Sequence, residues 1–217
     1  TYAHYKLDDT MAETPEAVRD LLEKMWSAGR KAAEREAQAL AHLAAQEGQN
    51  GTFRKADWRH YAEKLRARDY AINEQELRPY FTLSRMIEAA FYVASRLFGL
   101  TFEERRDLPL YNPQVRAFDV KDASGAHVAL FLGDYFARPS KRGGAWMSAF
   151  RTQQKLEGPI RPIIVNVLNI AKPARGDDPL LSLDEARTLF HEFGHALHGM
   201  LSDVTFPSLA GTSVSTD

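Results

Sequence analysis

Apolar residues recur at two spacings along this chain, and the change of spacing divides it. Thr14-Pro15 is an N-cap followed by a first-turn proline. Val18, Leu21, Leu22 and Met25 then fall at the i, i+3, i+4, i+7 positions of an amphipathic helix, and Ala-rich sequence carries it to a stop at Gly48. Trp58, Tyr61, Ala62 and Leu65 predict a second helix. After a break at Pro79, Leu83, Met86, Ile87, Ala90, Ala94 and Leu97 predict a third, ended by Gly99. Thr101 and Glu104 have capping-box spacing ahead of a further short segment. Met and aromatic positions in these helices are read as core. From residue 115 the spacing changes. Residues 115–121 and 127–136 read as strands, joined by hairpin-turn chemistry in Asp122-Ala-Ser-Gly125. Residues 162–170 form a third, strongly apolar strand. A loop rich in Pro, Gly and Asp leads to Ser182 and Glu185, a capping box for a helix carrying Leu183, Ala186, Phe190, Phe193, Leu197 and Met200. The expected fold is mainly α with a small β-sheet: a helical region over residues 1–110, then a small sheet and an apolar helix over 111–217.

Composition narrows the classes. The 217 residues are 44% apolar and 26% charged, ordinary for a globular protein and unlike a disordered or fibrous one. The net charge of −1 carries no nucleic-acid or membrane signal. A basic cluster at Arg54, Lys55, Arg59, Lys64, Arg66 and Arg68 is interspersed with Glu63 and Asp69 and reads as a solvated helix face. The absence of cysteine excludes disulfides, thiol nucleophiles and thiolate metal sites. No run approaches the roughly 18 apolar residues of a membrane helix. The chain begins at Thr1 in polar sequence and ends in a run of small residues, 208–217, so it reads as a fragment.

The chemistry lies in the last predicted helix. His191-Glu192-Phe193-Gly194-His195 is an H-E-x-x-H motif. On a helix, residues i and i+4 share a face about 6 Å apart along the axis, so both imidazoles reach one zinc. Glu192 sits about 100° round from His191, beside a metal-bound water rather than on the metal. Zinc lowers the pKa of such a water to about 7, and a carboxylate there takes its proton during attack on a polarised carbonyl. The chemistry implied is metal-assisted amide hydrolysis, with Glu192 as general base. His198 lies roughly 10 Å along the axis from His191, too far for one zinc to take all three histidines, and reads as a supporting residue around the ligands.

A third protein ligand is still needed. The metzincin spacing would place Gly and His where His198 and Leu201 stand, so that class fails. Asp203 would sit just past the helix, and Asp217 follows Gly211-Thr212 at too long a spacing for an aspzincin. The plainest expectation is a ligand beyond residue 217. Arg142-Gly143-Gly144-Ala145-Trp146 supports two readings: an edge strand that pairs with an extended peptide, or a basic turn before a packed Trp.

The stretch from Leu189 to His198 resembles the zinc-helix signature of the thimet oligopeptidase family. Residues 211–217 (Gly-Thr-Ser-Val-Ser-Thr-Asp) resemble the approach to that family's next helix, where Phe-Val-Glu follows and the Glu is the third ligand. Residues 107–116 and 135–147, and Lys6-Leu-Asp-Asp-Thr-Met11, also resemble family segments, so the likeness covers essentially the whole chain.

The resemblance implies a zincin-like, helical, two-lobed metallopeptidase with a deep channel, one zinc on its floor and access only for short peptides. It implies His191 and His195 as ligands and Glu192 as base. The branch it resembles most releases C-terminal dipeptides, with an endo-acting oligopeptidase branch as the alternative. The family's transition-state-stabilising Tyr and His have no counterpart here, so the isolated chain is expected to be inactive. A non-catalytic helical binding module with a degenerate site is the competing reading, and intact Glu192 argues against it. The expected partners are short peptides, with no nucleic acid and no membrane. The full-length molecule is expected to be a cytoplasmic monomer, with the periplasm as the alternative compartment.

Overall fold

The computed structural model describes every residue except 9, 50–52, 71–72, 174–175 and 214–217. The chain forms two compact units, one of residues 1–73 and one running from residue 74 through the last described residues.

The first unit holds α1 (Tyr2–Leu7), α2 (Pro15–Gln46) and α3 (Trp58–Tyr70). Thr14 caps α2 as predicted, its hydroxyl accepting from the Ala17 N–H at 3.2 Å, with Pro15 in the first turn. Leu40, Leu43 and Ala44 of α2 bury against Tyr61 of α3, with Phe53, Trp58, Ala62 and Leu65 packed around them. The predicted apolar face at the start of α2 is different. Leu21, Leu22, Met25 and Trp26 are exposed, not core. The reason is length: the 32 residues of α2 span about 48 Å, whereas the 13 of α3 span about 20 Å and reach only the far end. The basic residues behave as a solvated face, with Arg54, Lys64, Arg66 and Arg68 each paired to a carboxylate.

The second unit opens with a short α4 (Glu74–Leu77) and a 3₁₀ turn through Pro79. Then follows α5 (Leu83–Phe98), capped by the Thr82 hydroxyl and closed by Gly99 at φ +67°, a left-handed position that glycine occupies without steric cost. The helical region predicted to run to residue 110 therefore extends into the second unit, where α5 packs in the sheet's core. The segment after Gly99 is a strand and not a capped helix. Strand β1 (Thr101–Arg105) pairs antiparallel with β2 (Arg116–Lys121), and Glu103–Lys121 and Glu104–Arg116 ion pairs bridge the two. Cross-strand pairing thus overrides the local cap signal.

Strand β3 (His127–Phe136) follows the predicted hairpin. Asp122 Oδ1 accepts from the N–H groups of Ser124 and Ala126 at 2.8 and 3.0 Å. Strands β4 (Trp146–Arg151) and β5 (Ile163–Ile170) complete a five-stranded mixed sheet in the order β1-β2-β3-β5-β4. Only β3 and β5 run parallel. Helices α5 and α6 (Leu183–Met200) cover one face. The other face buries Ala117, Leu132, Val165 and Val167 against Val115 and the partly buried Leu108, Leu110 and Trp146.

Aromatic rings fill the helix-side core. Phe91 stacks on Phe102 at 4.1 Å between centroids, and Phe131 meets Phe118 at 6.1 Å and Phe193 at 5.5 Å. Phe131, 1% exposed, joins the sheet to both helices. Phe131→Ala should lower the unfolding free energy by about 3–5 kcal/mol. Urea unfolding followed by circular dichroism measures this, and a loss below about 1 kcal/mol would contradict a tightly packed cluster.

Candidate active site

Helix α6 begins at the predicted capping box. The Glu185 N–H donates to the Ser182 hydroxyl at 3.1 Å, and the Ser182 N–H donates to Glu185 Oε2 at 2.7 Å. Its buried stripe is Ala186, Leu189, Phe193, Ala196 and Met200. Two residues of the predicted apolar face, Leu183 and Phe190, instead lie outside it, exposed. The buried stripe is centred on Leu189 and Ala196, roughly 100° from the line through Leu183 and Phe190.

This rotation sets the motif. His191 and His195 face outward and are exposed, with their rings edge to face. Their Nε2 atoms converge to 3.1 Å. Two nitrogens on one tetrahedral zinc at about 2.0–2.1 Å lie roughly 3.3 Å apart, so the pair fits one cation. The same approach also suits an N–H···N hydrogen bond in one choice of tautomers. Glu192 lies between the two faces. It is buried at 8% exposure, and no described residue hydrogen-bonds its carboxylate. Glu192 and His191 line an open cleft of about 700 Å³ together with Ala145.

The other predicted candidates divide. His198 is exposed and makes no hydrogen bond among the described residues. Asp203 is drawn to Lys155, 2.5 Å away, and not to the histidines. Asp217 lies outside the described residues. Among the described residues no third His, Asp or Glu joins His191 and His195.

Arg142, Gly143, Gly144 and Ala145 form the turn that enters β4, and Trp146 is the first residue of that strand. The turn is basic at Arg142, and β4 is an edge strand of the sheet. Arg142 lies over the Trp146 ring at 5.0 Å, and Trp146 packs against the sheet's outer core. Ala145 and Met147 face α6. Among the described residues no strand pairs with the outer side of β4.

Sequence reasoning missed the polar cluster behind this turn. Asp134 on β3 is 2% exposed and accepts from both terminal nitrogens of Arg138 at 2.6 Å, from the Tyr111 hydroxyl at 2.9 Å and from Lys141 at 3.2 Å. Burial pushes the Asp134 carboxyl up, but the three donors outweigh burial and hold it below the usual carboxylate range. Burial draws Lys141 below its ordinary value, opposed by Asp134. The available signal was an aspartate near the end of a mostly apolar strand.

The sequence matches Peptidase family M3 over residues 1–217. It is 42% identical to dipeptidyl carboxypeptidase of Salmonella typhimurium over 217 residues, all of this chain and 32% of that protein. It is 36% identical to oligopeptidase A of the same organism over 98% of this chain and 32% of that protein. It is 39% identical to the organellar (chloroplastic/mitochondrial) oligopeptidase A of Arabidopsis thaliana over 93% of this chain and 26% of that protein. The chain thus spans about a third or less of the length of these relatives.

Burial, followed by the hydrogen bond to Asp134, pushes the Tyr111 hydroxyl up to about 12 from an ordinary 10.0. Because the raised value favours the protonated form in the fold, the Tyr111–Asp134 contact stabilises fully below pH 10 and is lost as pH rises through about 12. Ultraviolet tyrosinate titration should show one step near pH 12 that disappears in Tyr111→Phe. A Tyr111 midpoint near 10 overturns the assignment.

Proposed function

The chain belongs to peptidase family M3, and on that footing we propose that it carries the metal-binding helix of a zinc metallopeptidase that hydrolyses short peptides. The observation that carries this reading is the convergence of the His191 and His195 Nε2 atoms to 3.1 Å beside a buried Glu192 whose carboxylate has no hydrogen-bonding partner among the described residues. His191 and His195 hold the metal, and His198 stands one turn on as a supporting residue. Zinc, when bound, supplies the Lewis acidity that polarises the scissile carbonyl and acidifies water. Glu192 takes a proton on its carboxylate from the attacking water. As the C–N bond breaks it delivers that proton to the amine nitrogen, which restores the carboxylate.

Residues 142–146 and the outer edge of β4 bind substrate. An unpaired edge offers backbone N–H and C=O groups to an extended peptide, which recognises main chain and tolerates varied side chains. The preferred activity is release of C-terminal dipeptides, following the relative with the highest identity reported above. Internal cleavage, as an oligopeptidase, is the second reading and is favoured by the 36% identity to oligopeptidase A. Analysing products from one peptide blocked as a C-terminal amide separates them, since a dipeptidyl carboxypeptidase that reads a free C-terminus will not cut it.

The relatives are about three times as long, so we assign residues 111–217 to the catalytic part of a longer, two-lobed, zincin-like molecule. The third ligand and the groups that stabilise the transition state come from elsewhere in that molecule. It acts as a cytoplasmic monomer on peptides, without nucleic acid or membrane. No helix among the described residues is long and apolar enough to cross a membrane.

Two outcomes test the assignment. Full-length Glu192→Gln should keep its zinc by elemental analysis and lose turnover by a factor on the order of 10²–10⁴; near-wild-type turnover excludes Glu192 as the base. The 217-residue chain alone should cleave less than about one hundredth as fast as the full-length enzyme, because oxyanion stabilisers are worth several kcal/mol. Comparable turnover by the short chain would show that the site is complete within it.

A further inference from the structure

The connection from β3 to β4 must pass over the end of β5, because β5 lies between them in the sheet. Strand ends there present carbonyls that need donors. The Lys141 ammonium, on a side chain only 5% exposed, supplies them. It donates to the carbonyls of Phe136 at 2.8 Å, Asp134 at 3.1 Å and Leu168, and to Asp134 Oδ1 at 3.2 Å. One cation therefore ties the exit of β3 to the end of β5. On the far side of the turn, the half-buried Asn169 donates through Nδ2 to the carbonyls of Arg142 at 3.0 Å and Gly144 at 2.6 Å. The residue after Gly144 is Ala145, which lines the cleft holding His191 and Glu192.

Neither side chain faces the reacting groups. Lys141 anchors its own stretch of the connection, one residue before the turn, to the ends of β3 and β5, and Asn169 holds the carbonyls of Arg142 and Gly144 just before β4. A buried ion pair is a weak source of net stability, but it fixes a chain path where several acceptors must be met at once. We propose that Lys141 and Asn169 are positioning residues for peptide binding, holding the turn at residues 142–145 so that the free edge of β4 starts in register with His191 and Glu192. This rests on the reading that β4 pairs with substrate. Loosening the turn misplaces the edge without touching the metal ligands or the base. The damage therefore falls on substrate binding more than on the chemical step.

The test uses the full-length enzyme, Lys141→Met, Asn169→Ala and a short peptide N-methylated at each backbone amide in turn. Methylation at one or more positions should raise the wild-type KM about tenfold. Lys141→Met and Asn169→Ala should each raise KM for the unmethylated peptide about tenfold, with kcat changed less than about twofold and zinc content unchanged. Methylation should then cost the variants little more. Asn169 is half-buried with no charge to orphan, so Asn169→Ala decides the matter if Lys141→Met does not fold. A wild type indifferent to methylation at every position overturns the edge-pairing reading itself. A methylation-sensitive wild type whose KM survives Asn169→Ala, or a variant that loses kcat while keeping KM, overturns the positioning role alone.

Discussion

Helix α6 must serve two surfaces at once, and the rest of the second unit is arranged around that demand. Leu189, Phe193, Ala196 and Met200 bury on the sheet and leave His191 and His195 pointing away from it. Phe193 sets the rotation, since its ring is held by Phe91, Phe102 and Phe131. A turn of the helix by one residue, about 100°, would push an imidazole into hydrocarbon and bring Phe193 to water. The aromatic core is therefore what aims the imidazoles. Glu192, at the boundary, is buried by the same packing that exposes its neighbour.

The strand order has a comparable effect on β4. A sheet that placed β4 between β3 and β5 would have left β4 paired on both sides. Inserting β5 between them puts β4 at the edge, beside α6, with its outer backbone groups unpaired among the described residues. The arrangement requires a long crossing connection, and a buried ion cluster lies at it. Asp134, Arg138 and Lys141 sit at that crossing, and Tyr111 closes the cluster from the opposite side. Exposed edges invite unwanted pairing. This one is flanked by Arg142 and ends in Arg151, and its last four residues are solvent-exposed.

Features set by local spacing were legible. The capping box at Ser182 and Glu185, the Gly99 stop, the Asp122–Gly125 turn and the i, i+4 histidines need only a few consecutive residues, and the structure contains each of them. Features set by partners distant in sequence were not. Residues 101–105 carry a helix-cap pattern but pair with β2, because Phe102 stacks on Phe91 and Glu103 and Glu104 meet Lys121 and Arg116. The start of α2 has a helical apolar stripe that α3 is too short to cover. On α6 the periodicity alone could not decide between a face through Phe190 and one through Leu189, since both recur at helical spacing. Asp134 reads as an interruption of a strand until Arg138, Lys141 and Tyr111 are seen to converge on it.

The same distinction explains why the candidate metal centre is only partly present among the described residues. The two histidines and the glutamate of the H-E-x-x-H motif fit within one turn and a half of helix, so one short motif encodes them together. A tetrahedral site with an open position needs a third protein ligand, and geometry forbids that ligand from the same straight helix: His198, the next imidazole on this face, is a further 4.5 Å or so along the axis from His195. It must come from another element, whose placement depends on packing. Here the chain after α6 is already tied back. Gln153 holds Val204 through paired hydrogen bonds of 3.1 and 2.8 Å, and Ser202 accepts from the Gly211 N–H at 2.9 Å. A side chain at Gly211 would press on Gly199 Cα at 3.2 Å, so the returning segment runs close against α6 at Gly199.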